Sequence, residues 1–359
     1  MKRQVDPAEV RYADELKLLT ADKGPRPPGW HLTPAAVVTF VVGDGARISR
    51  KFVGDRALVE RAVITLAGRR GLLLVGEPGT AKSLLAELLT AAISGDTSRT
   101  VQGSAGTHEE QLRYGWNYQL LLAKGPTTDA LVPSPILSAM RGGAIARVEE
   151  ITRCLPEVQD AMVSILSERS MSVPELGETE YAVDGFNIIA TANLRDRGVN
   201  EMSAALKRRF NFEVIEAIGS LQAESELVKR EAGRALAGGN APADVDDAVI
   251  EALVTVFRDL REGRSVEGWP VDKTATVMST AEAVAVAGSL GLQSAYFPVG
   301  DPVSLLPGHL LGVARKDDRD DQAKLVSYWD STVRRRAEEG EARLWKRLYE
   351  LRHVIAEQN

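Results

Sequence analysis

An α/β fold built on a parallel sheet, followed by a smaller all-helical domain, is what this sequence predicts. Three observations predict it. Apolar stretches of buried-strand length, Gly71–Val75, Ala144–Val148 and Phe186–Ala192, alternate with segments of helical spacing. A glycine-containing loop, Gly76-Glu77-Pro78-Gly79-Thr80-Ala81-Lys82-Ser83, joins the first of these strands to a helix. From about Gly219 onward the strand signals fade and helical periodicity takes over.

In chain order, residues 1–48 read as an N-terminal leader. Its segment Lys23–Gly29 is too rich in proline and glycine for a helix or strand interior. Met1–Glu15 mixes charges and lacks the apolar core of a signal peptide. The α/β domain is expected over 49–218. Its first helix, Asp55–Ala67, places Leu58, Val59, Ala62, Val63 and Leu66 on one face, and Lys82–Ser94 forms the helix after the loop. The strand Ala144–Val148 is apolar apart from Arg147, and Leu155–Ser170 has helical spacing through Val158, Ala161, Met162, Ile165 and Leu166. Met171–Val183 carries Pro174 and Gly177 between strand-like ends and reads as a hairpin. Three helices, Glu224–Leu236, Val245–Glu262 and Thr274–Leu290, fill a second domain over 219–300. Beyond the charged stretch Asp317–Asp321, Leu325–His353 reads as one or two amphipathic, arginine-rich helices of a C-terminal extension, 301–359.

The composition excludes several classes. With 44% hydrophobic and 26% charged residues among 359, the chain has an ordinary globular balance and length for more than one core. A formal charge of -6 and a pI near 5.5 disfavour a nucleic-acid partner held by the net field. Cys154 is the single cysteine, so no intrachain disulfide forms, and a cytoplasmic home fits. The most apolar runs, Val37–Val42 and Leu72–Val75, fall far short of the roughly 20 residues a membrane helix needs.

The loop carries the chemistry. Gly76–Ser83 matches G-x-x-x-x-G-K-[ST] except that Ala81 stands where the last glycine belongs. Backbone N–H groups of such a loop, and of the helix N-terminus after it, point at phosphate oxygens. Lys82 would neutralise the β- and γ-phosphates of ATP, and the Ser83 hydroxyl would ligate Mg2+. The bland alternative, a glycine-rich turn ahead of a helix, does not require the order strand, loop, lysine-serine, helix. Glu149 and Glu150 follow a strand, where such an enzyme needs one acid for the metal's hydration shell and another to polarise the attacking water. Glu149 takes the first role and Glu150 the second; two solvated acids opening a loop is the competing reading. Asn193, at the tip of Phe186–Ala192, would orient the lytic water, or would merely close a turn. Lys207-Arg208-Arg209-Phe210 places three cations before an aromatic, and an arginine there would reach a neighbour's γ-phosphate. For any one of them, a solvated basic face is the plainer account.

Taken in this order, these pieces resemble the MoxR family of AAA+ ATPases, from about Phe52 to Val214 and more weakly to about Leu290. The resemblance implies a parallel αβα P-loop NTPase core, a smaller all-α lid and hairpin inserts. Within it, Phe52-Val53-Gly54 resembles the segment that packs near the adenine, and alanine before the lysine is usual in the loop. Ile145–Glu150 sits where the Walker B strand belongs, and Asn193 matches sensor 1. Ala205–Phe210 resembles the stretch that supplies the arginine finger, with Arg209 the first choice and Arg208 the second. Gly103–Leu137, with Tyr114-Gly115-Trp116, resembles the insert in helix 2. The implied nucleotide-binding set is Val53, Gly54, Gly76–Ser83, Leu84 and, from the lid, Lys273 in the place of sensor 2. Glu149 replaces the family's usual aspartate, as in the YehL-like branch. The family further implies ATP and Mg2+ as cofactors, a hexameric homo-oligomer and a partner with a von Willebrand factor A domain.

Three functions compete on this reading: an ATP-hydrolysing motor that remodels or matures protein complexes, a nucleic-acid motor of the same superfamily, and a non-hydrolysing nucleotide switch kept in play by Glu149. Tyr114 and Trp116 are read as packing the insert onto the sheet, against a rival role lining a pore or touching a client.

Overall fold

Gly71–Val75 is buried at every position, as a strand covered on both faces must be. In the computed structural model the described residues are 5–193, 198–237, 245–297, 301–316, 318, 320–339 and 343–356. Nine strands occur among them: β1 (Gly71–Val75), β2 (Thr100–Gln102), β3 (Tyr114–Trp116), β4 (Leu131–Pro133), β5 (Ile145–Glu149), β6 (Ser170–Val173), β7 (Glu178–Tyr181), β8 (Asn187–Ala192) and β9 (Phe210–Val214). Five form one sheet in the order β2-β5-β8-β1-β9, every neighbouring pair parallel. The expected hairpin is the antiparallel pair β6–β7, and β3–β4 forms a second one.

Successive side chains of the sheet feed opposite layers. Leu73, Val75, Ile188 and Ala190 join the helices Pro135–Gly142 and Pro156–Glu168 in one core. Leu72, Leu74 and Ile189 join Pro34–Val42, Arg56–Ala67 and Lys82–Ser94 in the other. This is the αβα arrangement expected, and the strand period of two builds it.

Chain contacts divide the molecule into two compact units, Met1–Glu77 with Ala81–Glu216, and Pro78–Thr80 with Ala217–Asn359. The stretch read as a leader is bound into the first unit. Ala8, Trp30, Leu32, Val37 and Phe40 share the core of Leu72 and Leu88. Lys51 pins the segment: its buried ammonium pairs with Glu15, donates to the carbonyls of Phe40 (2.9 Å) and Ser49 (3.0 Å), and lies 4.3 Å from the centre of the Phe40 ring.

The second unit is helical, as expected, but a single core crosses residue 300. Val228, Leu253, Phe257 and Leu290 pack with Leu310, Tyr328, Trp329 and Leu348. The third lid helix runs over Thr280–Tyr296, later than the periodicity placed it. The hydroxyl of Ser279 caps it by accepting from Glu282 N–H at 3.2 Å, and Ser279-Thr280-Ala281-Glu282 is a capping signature in the sequence. Upstream, Ala275 and Thr276 lie in an irregular segment and give their N–H groups to Asp321. The C-terminal helical run is broken into Asp320–Tyr328, a π-turn at Trp329–Val333, Arg334–Glu339, Arg343–Glu350 and Arg352–Ala356.

Candidate functional site

Parallel register lines up the strand ends. Val75 of β1 pairs with Ala192 of β8, Val148 of β5 with Ala190, and Gln102 of β2 with Glu149. Gly76, Glu149, Glu150 and Asn193 therefore leave the sheet at one edge, the carboxyl edge where open α/β sheets bind ligands.

At the phosphate loop, Gly79 has φ 74°, open to glycine at little cost. Ala81 also lies in the left-handed region, at φ 68° and ψ 25°, immediately ahead of the helix Lys82–Ser94. A methyl in that conformation costs about 1–2 kcal/mol, so the loop holds strain at the residue before its lysine. Lys82 is buried, and its ammonium donates to the carbonyls of Gly76 (3.0 Å) and Glu77 (2.7 Å). The loop thus curls around the cation that would face phosphate. Leu84 and Ala81 pack against the cluster that holds Phe52, Leu74 and Leu85. Val53 is half-buried and Gly54 exposed. The Phe52 ring lies over Gly54, where an added Cβ would fall 2.3 Å from a ring carbon, so a side chain there would have to displace the ring.

Glu149 is the last residue of β5, one later than the sequence reading ended that strand. It is 6% exposed, and its Oε2 accepts from Ser83 Oγ and from Thr191 Oγ1, both at 2.7 Å. Arg147 lies 3.4 Å from Oε1. The glutamate carboxylate thus meets the loop serine directly. A hydroxyl and a carboxylate converging from two elements are the hard oxygen donors Mg2+ takes, alongside water and phosphate, and these residues fit that ion. Among the described residues no group of three or more His, Cys, Asp or Glu gathers to form an all-protein cage.

Glu150 turns out of the sheet at φ 55° and ψ 44°, again left-handed for a residue with a side chain. Its N–H donates to Thr191 Oγ1 at 2.9 Å, and its Oε2 accepts from Arg153 Nε at 3.0 Å. Asn193 is buried just past β8, and residues 194–197 lie outside the described residues. Thr191 escaped the sequence reading. The available signal was a lone hydroxyl in Ile188-Ile189-Ala190-Thr191-Ala192.

The two arginines differ. Arg209 donates to Ser167 Oγ and to the Ala205 carbonyl, both at 2.8 Å, within its own unit. Arg208 is exposed, and its side chain makes no hydrogen bond or ion pair among the described residues. Lys273 is exposed in an irregular segment of the second unit, ahead of Thr280–Tyr296. Tyr114 is buried, its hydroxyl donates to Glu175 at 2.8 Å, and it meets Trp116 edge-on at 6.0 Å. Burial, then the Glu175 hydrogen bond, push the Tyr114 phenol up to about 12. Tyr114 belongs to the core between sheet and helices, and half-buried Trp116 packs against it.

A family model for the YehL-like AAA+ ATPase C-terminal domain matches residues 222–356, and one for the AAA domain of the dynein-related subfamily matches residues 71–210. The chain is 51% identical over 359 residues to YehL of Escherichia coli K12, covering 98% of each. It is 29% identical over 195 residues to a protein of Staphylococcus haemolyticus, covering 54% of this chain and 68% of that one. Among solved structures it is similar to NtrX from Brucella abortus. The ATP complex gives a TM-score of 0.49 at 13% identity, covering 85% of this chain and 69% of that one. The ADP complex gives 0.46 at 14%, covering 85% and 66%. The full-length match to YehL, carried by a parallel five-stranded sheet with a phosphate loop and an all-helical second unit, means that the chain belongs to the YehL-like AAA+ ATPases.

Proposed function

We propose that the chain binds ATP with Mg2+ at Gly76–Ser83, hydrolyses it, and uses turnover to remodel or mature a protein complex. The observation that supports this most is the meeting of Ser83 and Glu149, which brings a loop hydroxyl and a strand-end acid to one point. Mg2+ held by Ser83 and Glu149 would offset the charge of the β- and γ-phosphates. Lys82 adds a point charge to the same phosphates, and loop and helix N–H groups orient them. Glu150 takes the proton of the attacking water, and Asn193 orients that water. Val53 and Gly54 lie against the base, and Leu84 extends the loop's wall. Lys273 keeps the sensor 2 role on resemblance alone. For the finger, Arg208 gains on Arg209, because Arg209 is already bonded to Ser167 and Ala205.

A homo-oligomeric ring, its hexameric size and a von Willebrand factor A partner rest on the MoxR resemblance, as does the chaperone-like role. Cytoplasmic residence is supported by the lone, buried Cys154. Among the described residues no helix is long and apolar enough to cross a membrane. A second reading, a nucleotide switch that hydrolyses little, is favoured by the Arg153–Glu150 pair, which occupies the proposed base.

One panel of variants decides between them. Lys82→Ala should lose most ATP affinity in calorimetry. Glu150→Gln and Arg208→Ala should bind ATP normally, and Glu150→Gln should release phosphate at least about a hundredfold more slowly. Wild-type phosphate release no faster than that of Glu150→Gln would establish the switch instead.

A further inference from the structure

Thr191 sits in the middle of the sheet, 1% exposed, on a strand otherwise apolar around it. A hydroxyl there costs free energy unless it is bonded, about 1–3 kcal/mol by mutational measure. It is bonded twice, and the directions are fixed by chemistry. A carboxylate only accepts, so the Thr191 proton goes to Glu149 Oε2 at 2.7 Å; a backbone N–H only donates, so the Thr191 oxygen accepts from Glu150 at 2.9 Å.

Each bond has a consequence. The first turns Oε2 of Glu149 toward Ser83, which donates to that same oxygen. The second helps hold Glu150 in its left-handed turn, the conformation that carries its side chain away from the line of β5. Among the described residues this turn is also tied by the Arg153 N–H to the Glu150 carbonyl at 2.9 Å and by the Gly103 N–H to the Glu149 carbonyl at 2.7 Å. On the opposite side space is closed: a Cβ on Gly103 would lie 2.4 Å from the Glu150 carbonyl oxygen. We propose that Thr191 is a positioning residue that couples the two acids, aiming Glu149 at the metal position and setting the turn that presents Glu150 to water. This rests on the roles proposed for Glu149 and Glu150.

The test uses the full chain with Thr191→Val, which keeps the shape and removes the hydroxyl, Thr191→Ser, which keeps it, and Glu150→Gln alongside. Thr191→Val should bind Mg2+-free ADP as the parent does. The gain in ADP affinity on adding Mg2+, read by calorimetry, and the rate of phosphate release should each fall about ten- to a hundredfold, the scale of lost support behind a metal ligand. Thr191→Ser should restore both. If Thr191→Val loses Mg2+-free binding as well, Thr191→Ala is read for the same split. A parental Mg2+ gain and rate in the hydroxyl-free variant, or equal losses with and without Mg2+ that serine does not rescue, would overturn the inference. If Glu150→Gln is fully active the underlying roles fail; if it is dead while Thr191→Val is unimpaired, only the part given to Thr191 fails.

Discussion

Glu149 and Asp259 are both buried acids, one in each unit, and they keep different company. Glu149 ends a strand, and two hydroxyls donate to one of its oxygens while Arg147 stands off at 3.4 Å from the other. Asp259, fully buried in the helical unit, accepts from Tyr328 OH (2.8 Å), Arg336 Nη2 (2.7 Å) and Val266 N–H (3.1 Å). Arg336 in turn also donates to Glu267 and the Tyr328 hydroxyl and lies over the Trp345 ring. Glu224 repeats the pattern, with Arg258, Arg261 and Thr280 around it. Burial alone therefore does not mark a functional charge. The acid with two neutral donors, a single cation at 3.4 Å and a place at the carboxyl end of the sheet is the one suited to a ligand; the acids wrapped in arginine hold helices together.

That contrast breaks most readily at Arg336. Removing one partner of a buried pair leaves the other charged and unpaired, so Arg336→Ala should cost about 3–5 kcal/mol in urea denaturation. ATP affinity, measured where the variant is still folded, should stay near the parent's. Unchanged stability with lost turnover would put this arginine among the functional charges and erase the distinction.

Asp321 sharpens the same point through pH. Burial pushes its carboxyl up, but Lys324 and the N–H groups of Thr276 and Ala275 outweigh burial and hold it below the ordinary carboxylate range. A folded pKa below the unfolded one contributes stability above the unfolded value, about 3.9, and loses it as pH falls through the folded value. Asp321→Asn should therefore destabilise by about 1–3 kcal/mol at neutral pH. The gap between variant and parent should narrow below about pH 4. A gap that stays constant down to pH 2 would show that shape, not charge, is what Asp321 supplies.

The smallest effect is expected in the loop. Ala81→Gly relieves the left-handed methyl, and glycine's greater unfolded-state freedom offsets part of the gain, leaving a rise of about 1 kcal/mol or less. A fall in melting temperature would mean that the left-handed backbone of Ala81 is not a source of strain.

Much of the first unit was legible in advance. The strand before the loop, the helix after it and the hairpin at Met171–Val183 appear within a residue or two of where spacing put them. These elements announce themselves locally, by apolar runs, by period or by turn residues. β9 was missed although Phe210-Asn211-Phe212-Glu213-Val214 alternates apolar and polar residues with the period of a strand, because the basic run just before it drew the reading instead. The C-terminal helices read as amphipathic and arginine-rich, but their pattern did not show that Arg336 would be only 5% exposed.

By itself, the sequence determined the phosphate loop, the order of strands and helices around it, and the residue types available for ATP chemistry. Tertiary structure alone decided which polar groups meet: Ser83 with Glu149 across 66 positions of chain, Thr191 with both acids, Arg336 with Asp259. It also decided that residues 8–52 belong to the first core and that Arg209 is tied down while Arg208 is not. The reason is physical. Backbone preferences and hydrophobic period act over a few residues and leave their mark in the local pattern, whereas the partner of a buried polar group is fixed by strand register and packing, which no local window contains.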